Sequence, residues 1–397
     1  MYMSFFCCTF AVAKVFDMIR LLTIIGARPQ IIKAAAISRV VRTQYAGRVE
    51  EHILHTGQHY DTNMSEVFFR ELGVPAPDYN LHVGSASHGV QTARMIEGIE
   101  AVLCGETKYD GVLVYGDTNS TLAAAIAASK LQVPIFHVEA GLRSYNMSMP
   151  EEINRIVCDR LASLLFAPTI TGVRNLAKEG ITQGVVQSGD VMYDNSLYFA
   201  PIAEKQSDIL ERMGLQPKKF VLATIHRPVN TDNEENLQSI FRALEEIAKT
   251  GMEVVVPLHP RTRERIRGLE VSGLEENHPQ RRPLLPKAEG RSGLKIIEPV
   301  GFLEMIQLEK HAAVVMTDSG GVQKEAFFYG TPCVILRAET EWVEIVEAGA
   351  GILTEADYTR ILAAYRQLVN KKIEFPSLYG DGHASEKIIE EIVRFLK

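Results

Sequence analysis

The most constraining feature of this chain is a series of short, unbroken apolar runs separated by longer amphipathic segments. In the first half they are IRLLTII (19–25), HILHT (52–56), GVLVYG (111–116), VPIFHV (133–138) and SLLFAP (163–168). Helix-like stretches such as PQIIKAAAISRVVRTQY and STLAAAIAASKL lie between them. A run that is apolar at every position, not every second one, has to be covered on both faces. Strands of that kind joined by helices predict a parallel sheet with helices on each side.

The pattern then restarts with KFVLATI (219–225), EVVVPL (253–258), LKIIEP (294–299), AAVVMT (312–317) and PCVIL (332–336). ENLQSIFRALEEIAKTG is one of the intervening helices and stops on Gly251. The fold class is therefore α/β, with two doubly wound, Rossmann-like domains facing an interdomain cleft. Strand character is lost near 190–217, which puts the first domain at 18–195 and the second at 196–380, followed by a last helix within 381–397. Residues 269–293 are rich in Pro, Gly and charge and predict a long surface loop. The opening MYMSFFCCTFAVAKVFDM is too short for a membrane span and lacks the basic start of a signal peptide. Residues 1–17 are read as an extension outside the fold.

A net charge of −7 without any long basic run makes nucleic acid a poor partner, yet leaves room for local anion sites. Five scattered cysteines with no CxxC pair exclude a disulfide framework, show no metal-ligand cluster, and fit a reducing cytoplasm. No metal is expected.

In open α/β sheets, ligands bind beyond the carboxyl ends of the strands. After the first strand, GARPQIIK places Arg28 and Lys33 near a helix start. Cations oppose the helix dipole there, so an anionic ligand is a better reason for them than the helix itself. After the second, Gln58 and His59 are donors with either a ligand or a loop role. After the third, Asp117 is either a cleft carboxylate or an N-cap, since Asp117, Thr118 and Ser120 all suit the cap of the next helix. After the fourth, Glu139 precedes Arg143 and either faces the cleft or forms a structural pair with it. Glu151 and Glu152 follow Pro150 in a helix first turn, where carboxylates are locally favoured. Glu152 is read as structural.

In the second half, His226 follows a buried strand and is a candidate acid/base or phosphate donor. DSGGVQKEA is a strand end, a Ser319-Gly320-Gly321 turn and a helix start, a pattern suited to holding a pyrophosphate. Glu325, one turn further on, is placed to reach ribose hydroxyls. The Walker pattern, GxGxxG after the first strand, HExxH and GxSxG are all absent. No nicotinamide cofactor is expected.

Taken together, GARPQIIK, YGDTNSTLA, HVEAGLR, MPEEINR, HRPVN, DSGGVQKEA and YGDGHAS occur in the order and spacing of the non-hydrolysing UDP-N-acetylglucosamine 2-epimerases. The resemblance runs from about residue 19 to 397. It implies the two-domain fold of GT-B glycosyltransferases with UDP in the cleft, a homodimer, and a last helix crossing back to the first domain. It also implies a reaction without cofactor: UDP is eliminated to leave a 2-acetamidoglucal, stays in the site, and adds back with a proton delivered to the other face of C2. Carried over residue by residue, Asp117, Glu139 and Glu151 match the family's catalytic carboxylates and His226 its functional histidine. Arg28 and Lys33 match basic cleft residues; Ser319, Gly320, Gly321 and Glu325 match the UDP turn and ribose carboxylate.

The chain departs from common members at several points. Trp342 stands in place of a family arginine, Val300 and Met305 stand where a glutamine and a phenylalanine are frequent, and HRPVN replaces HRRES. GARPQ, HTGQHYD, SGGVQKEAFF and TEWVE resemble the branch that epimerises UDP-2,3-diacetamido-2,3-dideoxyglucuronic acid for surface polysaccharides. UDP-N-acetylglucosamine is the default substrate and that diacetamido uronate the alternative, with Gln58, His59, Arg143 and Trp342 as further candidate contacts. A hydrolysing 2-epimerase, a GT-B glycosyltransferase and a UDP-sugar sensor are the more distant readings.

Overall fold

The computed structural model describes residues 18–57, 69, 71–258, 260–266 and 293–397. The expectations for residues 1–17, for 269–292 and for Gln58 and His59 lie outside them.

Seven strands form the first sheet: β1 (Ile19–Ile25), β2 (Val49–His55), β3 (Tyr79–Asn80), β4 (Gly111–Tyr115), β5 (Ile135–Val138), β6 (Leu164–Ala167) and β7 (Val185–Gln187). They are parallel, in the order β3-β2-β1-β4-β5-β6-β7. Six more form the second: β8 (Phe220–Thr224), β9 (Glu253–Pro257), β10 (Leu294–Ile297), β11 (Val314–Thr317), β12 (Cys333–Ile335) and β13 (Gly351–Leu353). Their order is β10-β9-β8-β11-β12-β13, again parallel. This is the GT-B-like, two-sheet α/β arrangement. Each expected apolar run is a strand; β3, β7 and β13 are additional and sit at or near sheet edges.

Strand order reverses between β1 and β4 in one sheet and between β8 and β11 in the other. Ligand crevices form at such switch points because the loops there diverge to opposite faces. The residues that follow these four strands are Gly26–Lys33, Gly116–Asp117, His226–Arg227 and Asp318–Gly321.

The segment at 190–217 is not a loose linker. It holds the helices Val191–Gln206 and Ile209–Met213. Asp190 caps the first of these by accepting the Met192 N–H at 2.8 Å. Its apolar side packs into one core with Ile31 and Ile37 of the first half and Phe302 and Ile306 of the second. The Phe199 and Phe302 rings meet edge to face at 5.2 Å. The helix Ala384–Phe395 buries Ile388, Ile389, Ile392 and Val393 in that same core, against the helix Arg28–Gln44. Asp194 accepts the N–H groups of Ala384 and Ser385, at 3.1 and 2.7 Å, and so caps its first turn. Among the described residues, no helix is long and apolar enough to cross a membrane.

Candidate active site

The loops that leave both switch points line a single cavity of about 840 Å³. Arg28, Lys33, Asp117, Glu139 and Glu151 face it from the first half. His226, Ser319, Gly320, Gly321, Glu325 and Trp342 face it from the second.

The first wall begins at Gly26. A Cβ there would lie 2.1 Å from Ser120 Oγ and 2.2 Å from Thr56 Oγ1, so only glycine fits. Gln30 then ties the turn: its Oε1 accepts the Gly26 and Ala27 N–H groups, while its Nε2 donates to Tyr115 O at 2.9 Å and Thr121 Oγ1 at 3.0 Å. The knot leaves Arg28 at the mouth and directs Lys33 inward.

Asp117 is not the cap of the following helix. Thr118 takes that role by accepting the Thr121 N–H, so the Asp117 carboxylate is available to the cleft. It receives Arg155 Nη2 at 2.5 Å, and Asn154 donates to its carbonyl at 2.8 Å. Arg155 also holds Glu152 at 2.7 Å. Glu152 is 1% exposed and accepts the Ser144 N–H, the Ser144 hydroxyl and the Tyr145 N–H, so it folds the loop that precedes the helix. Glu151, its neighbour, is exposed on the cavity side of the first turn of Pro150–Leu161.

Glu139 sits at the centre. Its φ of +74° is unusual for a residue with a side chain, and it is held by N–H groups of Glu139 and Ala140 that both donate to Phe166 O at 3.0 Å. One carboxylate oxygen meets Lys33 Nζ, and the other meets Lys324 Nζ at 2.7 Å. Burial alone would raise its pKa, but Lys324 and Lys33 outweigh it and hold the carboxyl down at about 2. Lys324 is 2% exposed, also binds Asp190 Oδ2 at 2.6 Å, and lies 4.0 Å from the centroid of the Trp342 ring. Burial opposes its charge, yet Asp190 and Glu139 keep it above the ordinary lysine range.

The opposite wall is the start of the helix Gly320–Phe328. Ser319 makes no side-chain cap, so N–H groups of the first turn point to the cavity without a protein acceptor of that kind. A Cβ on Gly320 would fall 2.5 Å from Glu341 Oε1, which explains the glycine. Asp318, fully buried, accepts the His226 and Arg227 N–H groups and the Asn230 amide, and thereby turns His226 into the cavity mouth. Burial pushes Glu325 up to about 7, against the pull of Lys324 and Arg28. Glu309 is deeper still, with neither oxygen partnered among the described residues. Burial and then Glu325 push it well above the carboxylate range.

Arg143 is the exception among the expected contacts. Its guanidinium is buried, bound to Asp159 at 2.8 Å and Glu179 at 2.7 Å, and it does not line the cavity. It is a structural ion pair, with partners that lie 16 and 36 residues on and are therefore silent in a local motif. Trp342 does line the cavity, and its indole N–H has no partner among the described residues. Val300 and Met305, two of the divergent positions, also line it. Lys324, Asp190, Asp318, Arg155 and Glu309 were not singled out by sequence. Each was masked by looking like an ordinary charge on a helix or beside a turn.

The family model described as UDP-N-acetylglucosamine 2-epimerase matches residues 42–393. The UDP-2,3-diacetamido-2,3-dideoxy-D-glucuronate 2-epimerase of Pseudomonas aeruginosa is 48% identical over 383 residues, covering 94% of this chain and 99% of the relative. A UDP-N-acetylglucosamine 2-epimerase homolog of Methanococcus maripaludis is 46% identical over 372 residues, covering 94% and 98%. The crystal structure of the Methanocaldococcus jannaschii UDP-GlcNAc 2-epimerase, in complex with UDP-GlcNAc and UDP, superposes with a TM-score of 0.82 at 40% identity, over 95% of this chain and all of that one.

Proposed function

The chain belongs to the UDP-N-acetylglucosamine 2-epimerase family, and from that premise we propose that it interconverts the C2 epimers of a UDP-2-acetamido sugar. The observation that carries the proposal is the meeting of Asp117, Glu139 and Glu151 on one wall of a cavity whose other wall is His226 and the open Ser319-Gly320-Gly321 helix start. That start takes the pyrophosphate, since N–H groups and the helix dipole both favour an anion there. Arg28 and His226 stand at the same end and stabilise charge on the departing UDP. Glu325 takes the ribose.

UDP leaves by elimination, which gives a 2-acetamidoglucal, and returns after C2 has been protonated on its other face. No cofactor takes part; UDP itself is retained. A useful base has a pKa near the working pH. Glu139, held near 2 between two lysines, is a poor base near neutral pH. Its role is to anchor Lys33 and Lys324, and proton traffic at C2 falls to Asp117 and Glu151 on the same wall.

UDP-N-acetylglucosamine is the default substrate. The diacetamido uronate is the second reading, favoured by the 48% identity to the Pseudomonas aeruginosa enzyme and by Trp342, Val300 and Met305 in the cavity lining. The protein acts in the cytoplasm as a homodimer.

The test is incubation with each UDP sugar in deuterated water, followed by NMR. Deuterium at C2 of an intact UDP sugar is the expected result. Free sugar would identify a hydrolase, and absence of exchange with both substrates would overturn the proposal.

A further inference from the structure

Behind the carboxylate wall lies a second charge cluster whose residues do not line the cavity. His137, in β5, is fully buried. Its Nδ1 lies 2.7 Å from Asp159 Oδ1 and its Nε2 lies 2.8 Å from the Gly116 carbonyl. A backbone carbonyl can only accept, so Nε2 carries a proton. Asp159 accepts as well: its Oδ2 takes the Gly141 N–H at 3.1 Å and Arg143 Nη1 at 2.8 Å. Nδ1 therefore carries a proton too, and the ring is an imidazolium.

His137 and Arg143 both face Asp159, which is fully buried, and Arg143 also reaches Glu179, which is 27% exposed and partly solvated. Burial opposes charge on the ring, yet Cys158 and Asp159 outweigh it and hold the group well above its ordinary range.

The position of the cluster gives it a task. The Gly116 carbonyl immediately precedes Asp117, and Gly116 has a φ of +62°. The Gly141 N–H follows Glu139 by two residues, and Gly141 has a φ of +79° with no room for a side chain beside Gly172. Asp159 belongs to the helix Pro150–Leu161, whose first turn carries Glu151. The three loops or helices that bear the three carboxylates thus converge on one ring, and two of them pass through left-handed backbone that needs to be held.

We propose that His137 is the positioning residue of the carboxylate wall: an imidazolium that ties the Asp117 loop directly, and the Glu139 loop and Glu151 helix through Asp159, to a single point. It touches no substrate. The inference rests on the carboxylate roles proposed above.

Two measurements on the full chain test it. In ¹⁵N-histidine-labelled protein, both His137 ring nitrogens are expected to give protonated signals unchanged from pH 6 to 9, assigned by their loss in His137→Gln. A titration within that range, or one unprotonated ring nitrogen, would overturn the proposal. In kinetics, His137→Gln and Asp159→Asn are expected to lower kcat by about 100-fold, the scale of a 1 Å misplacement of catalytic groups. KM and the Kd for UDP stay within about threefold, because the pyrophosphate turn and Glu325 belong to the other sheet and Arg28 lies outside the three tethered segments. Unchanged kcat in a folded variant, or equal losses in kcat and UDP affinity, would refute a positioning role. If the wild-type protein exchanges no C2 proton, the proposed reaction fails, while the ring-nitrogen signals still decide the state of His137.

Discussion

Replacing Lys324 with methionine removes one ammonium that serves two carboxylates from different parts of the chain. In the native protein it lies 2.7 Å from Glu139 and 2.6 Å from Asp190, beneath Trp342 and 2% exposed. Methionine refills most of the volume and keeps a contact with the indole. The electrostatic loss is therefore the main effect. Glu139 retains Lys33, but Asp190 is left without a cation, and stranding one member of a buried pair costs about 3–5 kcal/mol. The lower end applies here, since one of the two carboxylates is still compensated. A companion substitution, Asp190→Asn, removes the stranded charge while an amide oxygen remains to cap the helix Val191–Gln206. The double variant is then more stable than the sum of the singles by about 2 kcal/mol. Urea unfolding monitored by circular dichroism measures all four corners of the cycle. The acid behaviour changes as well. Glu139, held at about 2 against an ordinary 4.5, contributes stability that is complete above pH 4.5 and lost as the pH falls towards 2. Without Lys324 that window narrows from its lower edge. A loss below about 1 kcal/mol in the single variant, or strict additivity of the pair, would refute the view of Lys324 as the electrostatic link between the two walls.

Asp117→Asn keeps the shape of the wall and removes a proton acceptor. Deuterium exchange at C2 should fall below detection by NMR while calorimetry finds UDP bound within a few-fold of wild type. Gly320→Ala drives a methyl group to 2.5 Å from Glu341 Oε1 at the helix start. UDP binding should weaken by about tenfold, or ~1.4 kcal/mol, with exchange reduced in step at low substrate. Glu325 shifts the other way from Glu139, to about 7 from 4.5, so its contribution to stability is complete below pH 4.5 and is lost as the pH rises to about 7. Glu325→Gln should flatten the pH dependence of Tm across that window, and an unchanged slope would show that the group does not ionise there.

The strands and the residues that follow them were readable because a parallel strand buried on both faces writes a continuous apolar run. β3, β7 and β13 were not, since these two- or three-residue edge strands lie in stretches without a continuous apolar run. Asp117 was ambiguous between cap and cleft until the neighbouring Thr118 was seen to make the cap. Arg143 sits in the midst of a functional motif, yet its charge is used by Asp159 and Glu179, whose proximity only the tertiary fold creates. Lys324 posed the converse problem. A lysine on a helix reads as a solvated charge, and nothing local reveals that Glu139, 185 residues earlier, comes within hydrogen-bond reach. Long-range ion pairs are the part of a site that motif spacing does not encode.

The helix Ala384–Phe395 completes the apolar core beneath the first sheet. During synthesis, the surface it covers is made more than 300 residues before the segment that covers it. The face of the helix Arg28–Gln44 that it covers then stays exposed while the whole second half emerges, and the first half can finish packing only when translation is nearly done. Contacts of such sequence separation slow folding and prolong the exposure of sticky intermediates. A nascent chain of this kind is a natural client for chaperones, and a stalled ribosome would hold an aggregation-prone fragment instead of an independent half-enzyme.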